Sequence, residues 1–446
     1  MVKRGGREDP EQLENRLHGQ AARIGIIGMG YVGLPLALAA GGAGFTVLGF
    51  DIDPAKVGLL NAGRSPLEHL GHAAIAALRR SGRFAASGDF TRLGEMEVVV
   101  ICVPTPLGRH QEPDLSFVEN TARTIAGHLR RGQLVILEST TYPGTTREIV
   151  KPILETSGLR SGTDFFLAYS PEREDPGNRD FTTSRIPRLV GGDGEVARDL
   201  ACAFYGRFVE HVVPVSSPEV AEAAKLTENI FRAVNIALVN ELKLVFQRMG
   251  IDIFEVIEAA ATKPFGYMPF WPGPGLGGHC IPIDPFYLGW RAREFGIATK
   301  FIELAGEINR MMPAYVVGRL AEELDRRFAR GLNGARILLL GVAYKKNVDD
   351  TRESPAFAIW NLLRERGAEV AYHDPHVPEI PETREHAALA GVPSVPLTPE
   401  TLAGFDAVLI VTDHDAVDYH MLGEHAPLVV DTRGRGRRLG GGFAAA

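Results

Sequence analysis

The feature that most constrains this chain is a set of three glycines placed directly behind a short apolar run. Arg23-Ile24-Gly25-Ile26-Ile27 leads into Gly28-Met29-Gly30-Tyr31-Val32-Gly33, small residues follow over 34–40, and a second apolar run over 45–50 stops at Asp51. Strand, glycine turn, helix, strand and carboxylate in that order specify a dinucleotide-binding βαβ unit. Gly28 is expected to make the tight turn, and Gly30 to let a pyrophosphate approach the backbone and the helix N-terminus. Gly33 is expected to let helix and strand pack closely. Asp51 lies about 20 residues beyond the glycines, where a carboxylate takes both ribose hydroxyls and repels a 2′-phosphate, so NAD is favoured over NADP.

The alternation of strand and helix continues. The run over 97–103 is apolar at almost every position, as in a fully buried parallel strand, and contains Cys102, which reads as a packed core thiol. Further strands are expected over 133–137 and 165–169. These three strands end in Thr105, in Ser139-Thr140, and in Glu172-Arg173, so polar side chains collect where open α/β sheets bind ligands. From residue 218 the pattern becomes helical as far as about 249, with Lys225 and Asn229 one turn apart. Helices over 252–261, 286–295 and 302–310 follow, and then a second α/β unit with strands over 369–373, 407–412 and 428–430 and a helix over 355–366. Its first strand leads into Lys345-Lys346-Asn347 and on to Arg352, a basic set suited to a phosphorylated ligand or to plain solvation.

The expected fold is therefore α/β, with two Rossmann-like α/β domains joined by a helical central domain with a long connecting helix. The expected parts are an N-terminal extension without order over 1–20, a NAD-binding domain over 21–213, a central helical domain over 214–325 and a C-terminal α/β domain over 326–446. The formal charge of −7 excludes broad nucleic-acid binding. Three cysteines, Cys102, Cys202 and Cys280, fit a reducing cytoplasmic setting and have no metal-ligand spacing. No apolar run is long enough to span a bilayer, and the charged N-terminal segment does not read as a signal peptide.

One loop stands apart. Gly273-Pro274-Gly275-Leu276-Gly277-Gly278-His279-Cys280-Ile281-Pro282-Ile283-Asp284-Pro285 puts a single thiol behind a glycine run and a carboxylate just beyond it. A stiff loop that presents one cysteine suits covalent chemistry, whereas a structural turn with an incidental thiol is the plainer alternative.

Taken together, Gly28-x-Gly30-Tyr31-Val32-Gly33, Val103-Pro-Thr-Pro106, Glu138-Ser-Thr140, Ser170-Pro-Glu172-Arg173, Lys225-x-x-x-Asn229, Gly277-Gly-x-Cys280-x-Pro-x-Asp284 and Ala343-Tyr-Lys-Lys346-x-x-x-Asp350-Thr-Arg352 resemble the UDP-glucose/GDP-mannose dehydrogenase family. His279, Ile283 and Thr262-Lys263-Pro264-Phe265-Gly266 look most like its UDP-N-acetylglucosamine 6-dehydrogenases, because the UDP-glucose enzymes usually carry Ser and Lys where this chain has His279 and Ile283.

The resemblance implies a four-electron oxidation of a UDP-sugar C6 alcohol to a carboxylate with two NAD reduced. By the same carry-over, Cys280 forms a thiohemiacetal and then a thioester, and Lys225 and Asp284 serve the first proton transfer. Asn229 donates to the oxyanion and Glu172 activates water. Asp51, Lys56, Thr105 and Thr140 line NAD; Arg173, Lys263, Gly277, Lys346, Arg352 and Arg433 face the UDP-sugar. UDP-N-acetylmannosamine and UDP-glucose are alternative substrates. Two other classes stay open: a two-electron hydroxyacid dehydrogenase, which shares the Lys-x-x-x-Asn pair but needs no cysteine, and a non-catalytic nucleotide-sugar sensor. A homodimer or higher oligomer through the long central helix is expected, since an apolar helix face needs a partner.

Overall fold

The computed structural model describes residues 10–67, 70–108, 111–173, 184–278, 281–383, 386–439 and 443–446. The chain divides into two compact units, Met1–Glu228 with Phe286–Ile297, and Asn229–Pro285 with Ala298–Ala446.

The first unit is built on eight strands: β1 Arg23–Ile27, β2 Thr46–Phe50, β3 Phe84–Ser87, β4 Val98–Ile101, β5 Leu134–Leu137, β6 Phe166–Tyr169, β7 Arg188–Gly192 and β8 Val212–Val215. They lie in the order β3-β2-β1-β4-β5-β6-β7-β8, parallel throughout except for the antiparallel β6–β7 pair. Every residue of β4, β5 and β6 is buried, because helices cover both faces of the sheet. Alternate side chains feed two cores: Val98 and Val100 pack with Ile24, Ile26 and Ile136, while Val99 and Ile101 pack with Val135, Leu137 and Leu167.

The second unit carries β9 Arg336–Leu340, β10 Glu369–His373, β11 Ala407–Ile410, β12 Val429–Asp431 and β13 Phe443–Ala445, all parallel, in the order β10-β9-β11-β12-β13. Its sheet again splits alternate residues between two cores, Ile337 and Leu339 to one side and Leu338 and Leu340 to the other.

Three expectations need correction. Residues 10–20 are not a disordered extension: Pro10–His18 is a helix whose Leu13 and Leu17, one turn apart, are buried in the first core. Residues 1–9 lie outside the described residues. Cys102 is not within a strand but follows the end of β4, although it is buried as expected. The helix expected over 302–310 runs as Lys300–Phe328 and continues through Pro313. The helical middle, expected over 214–325, is divided between the two compact units. The Pro218–Arg248 helix starts in the first unit, where Ala221 joins the sheet core, and continues in the second, where Val239 packs with Ile253, Phe254 and Ile257.

Candidate active site

The turn after β1 has the geometry its glycines require. Gly28 sits at φ +94°, and a Cβ there would lie 2.5 Å from the Cys102 carbonyl oxygen. A Cβ on Gly33, the first residue of the Gly33–Gly42 helix, would lie 2.0 Å from the Gly28 carbonyl oxygen. Gly30 differs: among the described residues, nothing comes within 4 Å of its Cβ position. The first and third glycines close the protein on itself, and the second leaves a cradle open, as a diphosphate needs. Tyr31 and Val32 are half-buried and pack against the core.

Asp51 lies just past β2 and is only 6% exposed. One carboxylate oxygen accepts the Met29 amide of the glycine turn at 3.0 Å and the other accepts the Asp53 amide at 3.0 Å. Asp53 caps the Pro54–Asn61 helix, and that turn brings the Lys56 ammonium back to Asp51 at 2.9 Å. Lys56 thus stands on the carboxylate expected to take the ribose.

The neighbouring strand ends are tied together. The Thr105 hydroxyl donates to the Thr140 carbonyl at 2.8 Å, and the Ser139 hydroxyl donates to the Val103 carbonyl at 2.7 Å. The Tyr287 hydroxyl bonds the Thr105 carbonyl. Beyond β6, Lys225 is 5% exposed and donates to the Glu172 backbone carbonyl at 2.5 Å, with the Glu172 carboxylate at 3.6 Å. Arg173 is engaged inside the protein: it pairs with Glu228 at 2.6 Å and donates to the Pro187 carbonyl at 2.6 Å.

In the second unit, the Asn229 amide donates to the Asp284 carboxylate at 2.6 Å, with both residues buried. Asp284 opens the Asp284–Glu294 helix. His279 and Cys280 lie outside the described residues. The glycines ahead of them are required by packing. A Cβ on Gly277 would meet Tyr344 at 2.8 Å and the Glu353 carbonyl at 3.1 Å, and one on Gly278 would meet the Tyr344 ring at 2.9 Å. The Gly278 amide donates to the Arg352 carbonyl at 3.2 Å. Gly273 lies under the Arg433 guanidinium, 2.5 Å from where its Cβ would stand. These glycines are therefore moulded onto their own unit.

Lys346 is half-exposed, 3.6 Å from Asp415. Arg352 forms a two-point pair with Asp350, donating to one carboxylate oxygen at 3.0 Å and to the other at 2.6 Å. Arg433 donates to the Val411 carbonyl at 2.8 Å, and burial lowers its pKa. Lys263 is exposed, with its ammonium 5.1 Å from the Phe265 ring centre.

Residues 22–209 match the NAD binding domain of the UDP-glucose/GDP-mannose dehydrogenase family, 219–311 its central domain and 338–436 its UDP binding domain. The chain belongs to the UDP-glucose/GDP-mannose dehydrogenase family. It is similar to a UDP-N-acetyl-D-glucosamine 6-dehydrogenase of Pseudomonas aeruginosa, at 39% identity over 80% of this chain and 83% of that protein. It is also similar to a UDP-N-acetyl-D-mannosamine dehydrogenase of Pyrococcus horikoshii, at 36% identity over 92% and 95% of the two chains. A solved structure of UDP-D-ManNAc dehydrogenase from Pyrococcus horikoshii superposes with a TM-score of 0.85 at 34% identity, covering 95% of this chain and 98% of that one.

As a member of this dehydrogenase family, the protein uses NAD, and the open cradle at Gly30 beside Asp51 fits that cofactor. Among the described residues, no cluster of His, Cys, Asp and Glu forms a metal site, and no helix is long and apolar enough to cross a membrane. Sequence reasoning passed over three buried groups in this dehydrogenase. Glu222 accepts from Gly144 and Thr146, and burial raises its pKa to about 7 against the pull of those donors. Lys243 reaches the Thr432 carbonyl at 3.4 Å, and burial lowers its pKa to about 7. His414 bonds Asp374 at 3.0 Å, both fully enclosed. A signal existed for Glu222 alone, which shares a helix face with Lys225.

Proposed function

We propose that the protein oxidises the C6 hydroxyl of a UDP-N-acetylhexosamine to a carboxylate, with UDP-N-acetylglucosamine as substrate and two NAD reduced per sugar. What supports this most is that the family match runs through all three domains while Lys225, Asn229 and Asp284 are all retained and buried. NAD, which the Gly30 cradle, Asp51 and Lys56 would hold, would supply the hydride acceptor for each of the two oxidations. Lys225 and Asp284 hold the C6 hydroxyl and take its proton as the first hydride leaves. Cys280, as thiolate, adds to the aldehyde carbon and forms a thiohemiacetal. Loss of the second hydride leaves a thioester, and water attacks it, releasing the carboxylate and returning the thiol. Asn229 has a second amide hydrogen to offer the oxyanion while the first is held by Asp284. Glu172 takes the proton of the attacking water. In this reading Arg433, Arg352 and Lys346 serve the UDP-sugar, and the product feeds surface-polysaccharide synthesis in the cytoplasm.

His279 and Ile283 favour an N-acetylated sugar over glucose. The mannosamine epimer is the second reading, favoured by a relative that spans almost the whole chain. A homodimer is also proposed. Phe231, Leu238 and Val245, each about half exposed, recur every seven residues on the Pro218–Arg248 helix and form an apolar seam. Lys263 would then complete a neighbour's site.

The test is the NADH yield per sugar for UDP-N-acetylglucosamine, UDP-N-acetylmannosamine, UDP-N-acetylgalactosamine and UDP-glucose. Two NADH are expected, with N-acetylglucosamine fastest; one NADH would make Cys280 structural. Cys280→Ser is expected to lose the four-electron turnover and still bind NAD.

A further inference from the structure

Glu222 lies three residues before Lys225 on the Pro218–Arg248 helix, so both side chains leave the same face. The Glu222 side chain is fully buried. One of its oxygens accepts the Gly144 amide at 2.7 Å. The other accepts the Thr146 amide at 2.9 Å and the Thr146 hydroxyl at 2.6 Å. These donors open the π-type turn Thr145–Val150, whose first amides would otherwise lack acceptors.

The segment that Glu222 holds starts at Ser139-Thr140, at the end of β5. Thr140 is gripped from the other side by the Thr105 hydroxyl. Between them the chain folds tightly, with the Thr145 amide and hydroxyl both on the Tyr142 carbonyl, at 3.1 and 2.7 Å. One turn along the helix, Lys225 binds the backbone carbonyl of Glu172 at the end of β6. A single helix face therefore grips two adjacent strand ends, one with a carboxylate and one with an ammonium. A plain cap does not need a buried carboxylate, which costs more to desolvate than a hydroxyl or amide. A carboxylate does supply two oxygens at a spacing that fixes both Gly144 and Thr146.

We propose that Glu222 is a positioning residue for the oxidation: it sets the 140–146 backbone relative to Lys225. The proposal rests on the function given above, and displacement of reacting groups by even about 1 Å is enough to cost up to ~100-fold in rate.

The test uses the full-length protein with Glu222→Ala, Glu222→Gln and Thr146→Val. Measured are kcat, the KM for UDP-N-acetylglucosamine and for NAD, and the thermal melting curve. Glu222→Ala is expected to lower kcat about tenfold or more while both KM values stay within about threefold. Glu222→Gln keeps an acceptor for Thr146 but turns an amide N–H towards the Gly144 amide, and is expected to recover only part of the kcat lost in Glu222→Ala. Thr146→Val, nearly isosteric, is expected to lower kcat about threefold. Wild-type kcat in Glu222→Ala overturns the proposal, as does a loss of kcat matched by an equal loss of folded protein. If Glu222→Ala does not fold, unchanged kcat in Thr146→Val overturns it. Wild-type protein that reduces no NAD with any UDP-sugar overturns the functional reading itself; active wild type with unaffected variants overturns only the role of Glu222.

Discussion

The two Rossmann-like units begin with the same turn and use it differently. Gly28 follows β1 at φ +94° and Gly341 follows β9 at φ +83°. Each donates its amide to the last residue of the neighbouring strand, Phe50 or His373, at 2.8 Å. A Cβ would strike a carbonyl in both, at 2.5 Å from Cys102 and 2.4 Å from Thr412. Each unit then places a carboxylate just past its second strand. Asp51 accepts the Met29 amide of its turn, and Asp374 accepts the Val342 and Ala343 amides of its own. The difference lies in what else the carboxylate holds. Asp51 shares its position with a partly exposed lysine, next to the open cradle at Gly30. Asp374 is closed off by His414, whose other ring nitrogen accepts the Asn347 amide at 3.0 Å. The turn is thus a folding device common to both units; what sets the first apart is a carboxylate shared with a partly exposed lysine rather than an enclosed histidine, beside a second glycine with nothing above it among the described residues.

The largest effect expected from this comparison is on stability. Gly28→Ala and Gly341→Ala both force a Cβ into a carbonyl at positive φ, and each is expected to cost about 3 kcal/mol or more in denaturant unfolding. A marked inequality between them would break the equivalence of the turns. Next, Asp51→Ala is expected to weaken NAD binding about 10- to 100-fold by loss of charge-assisted bonds to the ribose. Asp374→Ala should leave NAD affinity unchanged and lower the melting temperature, because its backbone donors lose their acceptor. An equal loss of NAD affinity in Asp374→Ala would mean that the second unit also serves the cofactor.

The helix shared by the two units drives one misfit charge into each, and the two have opposite pH signatures. Glu222 is raised to about 7 by burial, so the folded protein binds its proton more tightly than the unfolded chain, and its contribution to stability falls as pH rises toward 7. Lys243 is lowered to about 7 by burial, so the unfolded chain binds more protons above that pH, and its contribution rises from pH 7 towards 10. Lys243→Met is expected to remove the upper slope and to stabilise the protein at pH 7 by about 1–3 kcal/mol. Retention of that slope in melting curves would assign it to another group. The smallest effect is expected at Gly30→Ala: stability within about 0.5 kcal/mol of wild type, since nothing opposes the new Cβ, while NAD binding weakens. Destabilisation there would mean the cradle is filled by protein.

Much of the first unit was legible because its signals are local. The apolar runs, the glycine spacing and Asp51 sit within one βαβ segment, and the order of β4, β5 and β6 in the sheet sets Thr105, Thr140 and Glu172 on adjacent strand ends. Other parts were hidden by conflicting local signals. A proline usually ends a helix, yet the Lys300–Phe328 helix passes through Pro313, which is buried, as are Met312, Val316 and Val317. The strand β7 ends in Gly191-Gly192, poor strand formers, and a Cβ on Gly191 would meet the Ser217 carbonyl at 2.2 Å. The packing of the glycine loop was hidden for another reason: Tyr344 and Glu353, which fill the space over Gly277, lie far along the chain.

By itself the sequence determined the strand–turn–helix units, the preference for NAD and the family's set of chemical groups, because these follow from hydrophobic periodicity and from glycines and carboxylates at fixed short spacings. Only the tertiary structure decided which of those groups are held and by what: Lys225 by a backbone carbonyl, Asn229 by Asp284, Asp374 by His414, and Gly144 and Thr146 by Glu222. Such pairings join residues tens of positions apart, and burial sets their strength by removing water from charges. Neither the partner nor the loss of water is written in local spacing.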